Sequence, residues 1–327
     1  MKEYYSKCDD GSGWYFDALV TDADYELSQK YHSTDDIPDD EYNEYIALHD
    51  AEIEQLTEYV IPDTYRGKPV VVIGQQAFTG GNKTLLQPEY VALKRIKVGK
   101  YVEVIDDGAF AHMPSLEQID LPESLESMYD IVFNKSGTIK KLHLGKKFNF
   151  VTETSFRGVK ILSFDVDPAN EEFRAESGCL IDKSGTIIKG CPGAVLPDSG
   201  VVNIEEFAFE YAPVDDPVVP EGVKNIGKGA FYGQSFKQVT LPSTIKYIYN
   251  VAFAQCSSLE KIVYNGTMAQ WKTVLKSGEG QKDAWNRNTG KYVVACTDGT
   301  IDSAGVEHKE TPKKQGFFAK LKNFFGA

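Results

Sequence analysis

The sequence predicts a solenoid of stacked repeats built from short parallel β-strands, and two observations carry that prediction. Seven stretches place an apolar residue, four unconstrained residues and then Phe: Ile73/Phe78, Ile105/Phe110, Met128/Phe133, Val151/Phe156, Ile204/Phe209, Ile226/Phe231 and Ile248/Phe253. The Phe-to-Phe steps are 32, 23, 23, 53, 22 and 22 residues, and a period in the low twenties marks a stack of like units rather than an enzyme core. Walking back from each Phe, apolar residues recur at offsets 0, 3, 5, 9, 12 and 17. Leu93, Ile96, Val98, Val102, Ile105 and Phe110 form one such frame, and Phe236, Val239, Leu241, Ile245, Ile248 and Phe253 another.

Each element follows from these offsets. Offsets 3 and 5 alternate with period two, so Ile96/Val98, Ile119/Leu121, Leu142/Leu144, Phe164/Val166, Val239/Leu241 and Ile262/Tyr264 are predicted strands with two inward side chains. Pro122, Pro197, Pro220 and Pro242 follow apolar strand residues and end the strands, because proline has no backbone donor. Offsets 9 and 12 make a second short element across the turn. The segment to Phe, as in Ile226-Gly-Lys-Gly-Ala-Phe231, reads as a tight turn or a single 3₁₀ or helical turn. A unit of 22 or 23 residues buries too little alone, so stability comes from its neighbours.

The two long steps hold inserts. About nine extra residues after Phe78, including Gly80, Gly81 and Pro88, read as a loop. Residues 167–200 read as an excursion whose centre, Cys179 to Lys189, is a β-hairpin turning at Gly185. Before the repeats, residues 38–59 follow helical spacing, with Tyr42, Tyr45, Ile46, His49, Ile53, Leu56 and Val60 on one face and Pro38 near the first turn. After them come Trp271, Trp285 and a hairpin, Val293 to Ile301. The expected organisation is an N-terminal helical cap over 1–59, a solenoid over 60–264, a C-terminal β cap over 265–306, and a linker with an amphipathic basic tail over 307–327.

The pattern Ile-Gly-x-x-Ala-Phe followed by Leu-Pro-x-x-Ile-x-x-Ile resembles the BspA-type leucine-rich repeats of bacteria and some protists. It stands here as Ile73-Gly74-Gln-Gln-Ala77-Phe78, Ile226-Gly227-Lys-Gly-Ala230-Phe231 and Leu241-Pro242-Ser-Thr-Ile245-Lys-Tyr-Ile248. The hairpin insert, with Cys179-Leu-Ile-Asp182 and Cys191-Pro192-Gly193, is similar to one that those proteins carry. The resemblance covers about residues 59–301. It implies a leucine-rich-repeat solenoid, and a family known for adhesion and partner binding. Met128-Tyr129 and Val151-Thr152 depart from Ile-Gly in the central units.

Composition narrows the function classes. The chain has 327 residues, is 42% hydrophobic and carries a net charge of −13, which argues against nucleic acid as the partner. No run of 18 apolar residues predicts a membrane-spanning helix. The first ten residues lack the apolar stretch of a secretory signal, so the sequence as it stands predicts a cytoplasmic protein; the alternative, implied by the relatives, is a secreted or surface one. Five widely spaced cysteines suggest neither a disulfide framework nor a metal knuckle, though a Cys179–Cys191 bridge stays open. The histidines occur singly, and no phosphate loop or nucleophile elbow is present, so no cofactor and no catalysis are expected.

Recognition is therefore expected on the outward face of the strands, as a mixed-charge patch for a protein partner, or alternatively a glycan. The register assigns to it Lys94, Arg95 and Lys97, then Gln118 and Asp120, Lys140, Lys141 and His143, and lastly Lys237 and Thr240. The tail offers a second contact. Phe317, Phe318, Leu321, Phe324 and Phe325 line one helical face beside Lys320 and Lys322, a basic amphipathic segment suited to a partner groove or an anionic membrane surface. Charge is polarised along the chain: residues 31–65 hold eleven acids and no Lys or Arg, whereas residues 313–327 hold four Lys and no acid.

Overall fold

A computed structural model describes residues 1–31, 37–79, 90–276 and 284–309. Two parallel ladders run along it. In the first, Glu58–Val60, Arg95–Lys97 and Gln118–Asp120 pair in register, followed by Leu142–Leu144 with Phe164–Val166, and by Gln238–Leu241 with Lys261–Tyr264 and Val293–Cys296. Their centres are the predicted offset-3 to offset-5 positions. The second ladder uses two-residue strands at offsets 11 and 12. Val104–Ile105, Ser127–Met128 and Phe150–Val151 stack before the hairpin insert, and Asn203–Ile204, Asn225–Ile226 and Tyr247–Ile248 after it.

Inward positions are buried as the offsets require, and Leu121 and Val151 alone in the four complete frames of residues 93–156 and 236–253 keep partial exposure. The repeat phenylalanines form two columns. Phe78, Phe110 and Phe133 stack at centroid distances of 5.4 and 5.9 Å, and Phe209, Phe231 and Phe253 at 5.0 and 5.3 Å. Phe16 extends the first column and Trp285 the second, at 5.8 and 6.1 Å.

The turn holding each Phe has a backbone signature that residue types conceal. Two residues before the Phe, Gln76, Gly108, Ile131, Phe207, Gly229 and Val251 have φ of 47 to 61°; two after it, His112, Lys135, Gly158, Tyr211, Gly233 and Gln255 have φ of 56 to 76°. Such left-handed residues cost L-amino acids energy, most of all β-branched Ile131 and Val251. The return is a third set of hydrogen bonds along the stack. Phe110 N donates to Val132 O, Phe209 N to Ala230 O, Phe231 N to Ala252 O, and Gly108 N to Asp130 O, at 2.8 to 3.0 Å.

Three sequence expectations need correction. The N-terminal helix α2 runs Asp39–Gln55, not to 59, and Val60 lies exposed in a strand of the first ladder. A strand hairpin and a helix α1, Asp22–Lys30, precede it. In that hairpin Lys2–Lys7 pairs with Trp14–Val20, whose residues pair in parallel with Lys68–Ile73, so aromatic Trp14-Tyr15-Phe16 heads the second ladder. The insert is likewise no excursion. Its strand Thr186–Gly190 places Ile187 beside Ile204 in parallel pairing, filling a rung. Finally, Glu307–Lys309 is a strand pairing with Gly299–Ile301 rather than linker, and a short helix, Met268–Thr273, precedes that end. The expected loop residues Gly80, Gly81 and Pro88, and the tail from 310 onward, lie outside the described residues.

The apolar core falls into two clusters that meet in the hairpin. Leu180 belongs to the cluster of residues 14–180, whereas Cys179 and Ile181 belong to the one running to Ile301. A small satellite of Leu27, Ile37 and Tyr45 holds α1 against α2.

Candidate binding surfaces

The predicted strand face runs over three successive sheets of the first ladder. Lys94, Arg95, Lys97, Asp120, Lys140, Lys141 and Lys237 are exposed on it, while Gln118, His143 and Thr240 are half-buried. Most of its charges are engaged by the neighbouring rung. Lys140 pairs with Glu117, Lys141 with Asp165 at 2.8 Å, Lys237 with Glu260 at 3.6 Å and Arg95 with Glu58 at 3.4 Å. His143 stands 3.1 Å from both Glu123 and Asp165. The Lys140 ammonium holds the Glu117 carboxyl below its ordinary range, and Lys141 with His143 does the same for Asp165. Among the described residues, Lys94 and Lys97 make no ion pair within 4 Å. Lys140–Glu117, Lys141–Asp165 and Lys237–Glu260 are each separated by about one repeat, so each joins adjacent rungs.

The register also sets Asp215, Asp216 and Val218 on this face, and there the rung is structural. Asp216 is exposed, but its carboxylate accepts from the Lys237 and Gln238 backbone at 2.9 and 2.8 Å, and the ladder there thins to a single bridge, Val218 with Thr240. Gln118 spends its amide on Asp120 at 2.8 Å.

A groove of about 330 Å³ opens on the second ladder, where sequence reasoning placed nothing. It lies along the rungs that follow the hairpin strand Thr186–Gly190. Thr186, Asn203 and Asn225 occupy successive rungs of its floor, the Asn225 amide donating to Asn203 Oδ1 at 2.6 Å. Gly227 supplies no side chain at offset 13, because a Cβ there would meet the Glu205 carbonyl carbon at 2.7 Å, and Tyr249 walls the next rung. Glu153, Glu205 and Glu206 line it, with Lys228 on Glu206 at 3.2 Å. Burial raises the Glu205 carboxyl above its ordinary range, and Glu153, Glu206 and Asp182 push it the same way. The signal that could have found it is Gly227 with Asn at offset 11 in consecutive repeats.

The model of the BspA type leucine rich repeat region matches residues 52–177 and 195–273 in six copies, more than half of the chain. The chain belongs to this BspA-type leucine-rich-repeat family. Among solved structures, the fold of this BspA-type protein is similar to the pneumococcal vaccine antigen PcpA, at 17% identity and TM-score 0.50, covering 65% of this chain and 73% of that one. A leucine-rich repeat protein from Eubacterium ventriosum is similar at 15% identity and TM-score 0.50, covering 80% and 70%. Comparison with curated proteins yields no match.

His49 packs beside buried Asp24 at 3.6 Å, and no group of three or more potential metal ligands occurs among the described residues. Cys179, Cys191 and Cys256 are buried free thiols, pushed by burial up to about 12, 11 and 11. No helix among the described residues is long and apolar enough to cross a membrane.

Lys189 on the hairpin is 1% exposed, donates to Glu210 O at 2.9 Å, and is pushed by burial down to about 8. Between about pH 8 and 10.5 the unfolded chain therefore binds more protons than the folded one at this site, and stability rises with pH. Urea unfolding should show wild type gaining up to ~3 kcal/mol over that window relative to Lys189→Met. Taking the difference removes the opposing slope of buried tyrosines such as Tyr90, whose raised phenol destabilises the fold above pH 10. Parallel pH profiles for the two proteins would refute the assignment.

Proposed function

We propose that this chain is a non-catalytic binding module that engages a protein partner through the strand face of the first ladder. The observation that supports this reading most is the regular lattice of outward side chains on that face, where cross-rung ion pairs hold most charges in place and, among the described residues, Lys94 and Lys97 have no ion pair within 4 Å. Preordered charges cost little entropy on binding, and cations outside close ion pairs set orientation and on-rate. The groove at Asn203, Glu205 and Tyr249 favours a second contact, an acceptor-rich seat beside an aromatic wall for a basic side chain of the same partner. The strand hairpin with α1 and α2 at one end, and the C-terminal strands at the other, act as caps that shield the terminal rungs.

The test is quantitative cross-linking of the full chain in extracts of its source organism. Partner recovery is expected to fall at least several-fold for Lys94→Glu/Lys97→Glu and to drop further at raised ionic strength, while Glu205→Gln reports on the groove. Recovery that neither change reduces sinks the reading.

A further inference from the structure

Helices α1 and α2 leave between them a groove of about 260 Å³, remote from both ladder surfaces. Its floor is Leu27 and Tyr45, 6% and 4% exposed, and its lip is Leu48, which is 54% exposed. Glu26, Glu41 and Glu44 rim it with one cation, Lys30, a net acidic edge. Glu41 already holds Lys30 and the Tyr31 hydroxyl, whereas among the described residues Glu26 and Glu44 make no ion pair within 4 Å. An apolar slot between two helices with an acidic rim is shaped for a third, basic amphipathic helix.

The chain contains such a segment. Residues 317–325 carry Phe317, Leu321 and Phe324 at i, i+4 and i+7, flanked by Lys320 and Lys322. A helix this short is marginal alone in water, so a segment with this pattern calls for a receiving surface. Reach decides which copy offers that surface. From Glu58–Val60 to Glu307–Lys309 the first ladder passes through about ten rung spacings, roughly 50 Å at the usual interstrand distance. The residues between Lys309 and Phe317 span about 25 Å when fully extended. Measured along the ladder, the tail falls short of its own helices.

We propose that the Phe/Lys tail of one copy docks in the α1–α2 groove of the next, joining chains head to tail. Such a contact is heterologous, so nothing in it limits assembly to a dimer.

Sedimentation velocity of the full chain tests this. The mean mass is expected to climb with concentration beyond a dimer and to fall back in high salt. Leu48→Lys, at an exposed site, and Phe318→Asp, in the tail, should each hold the chain at monomer. An equimolar mixture of these two variants has one competent tail and one competent groove per pair, so it should associate and stop at a dimer. A full chain that stays monomeric, association that both variants retain, or a mixture that stays monomeric would overturn the proposal. So would tail-dependent binding to phosphatidylserine vesicles without self-association, which would assign the tail to a membrane.

Discussion

Phe231→Ala is expected to lower the free energy of unfolding by about 4 kcal/mol, near the upper range for losing a buried aromatic ring. Phe231 is fully buried, lies 5.0 and 5.3 Å from Phe209 and Phe253 with planes within 10° of parallel, and meets the edge of Phe236 at 6.0 Å. The rungs on either side cannot collapse into the space. Phe209 N to Ala230 O and Phe231 N to Ala252 O fix their spacing through the backbone, so the cavity persists. Urea unfolding of Phe231→Ala against Phe231→Leu separates the terms: Leu restores much of the volume but not the stacking, worth about 1 kcal/mol per aromatic contact. A loss below about 1 kcal/mol for Ala would mean that the stack relaxes.

Gly190→Ala should destabilise by about 3 kcal/mol, at the upper end for overpacking. A Cβ there would lie 2.3 Å from Phe209 Cε1 and 2.4 Å from Cδ1. Phe209 has no free rotation to offer, since Phe231 stacks on its other face with planes 5° apart. Nor can the strand retreat: Gly190 is opposite Cys179 in the hairpin and donates to Ala208 O at 2.8 Å. Adding Phe209→Leu to Gly190→Ala should recover part of the loss although Phe209→Leu alone destabilises. Such non-additivity is the mark of a direct clash; simple additivity of the two changes would place the cause elsewhere.

Side-chain type made the ladders legible because inward positions repeat at every rung. Ile96, Ile119, Val239 and Ile262 fall at the strand centres their offsets require. What stayed hidden is whatever the period does not encode. Ile131 and Val251 adopt left-handed backbone that their branched side chains disfavour, imposed by the neighbouring rungs rather than by local preference. The strand Trp14–Val20 lies outside the repeat pattern and pairs at a distance of more than fifty residues. The insert looked like an excursion because its own hairpin signal is strong, yet Ile187 occupies a repeat position without a repeat sequence around it. On the strand face, residue identity named the charged rows, but whether Lys140 faces a partner or Glu117 depends on which rung lies next to which.

The hairpin gives alternate residues of one strand to different cores: Leu180 to the N-terminal cluster, Cys179 and Ile181 to the C-terminal one. In a stack whose energetics are nearest-neighbour, that strand is a seam. Rungs gained or lost on one side leave the other side's packing intact, provided the hairpin itself is kept. Length can then vary in this lineage by whole rungs on either flank, and the insert, which interrupts the repeat in sequence, is the part whose loss both halves would feel.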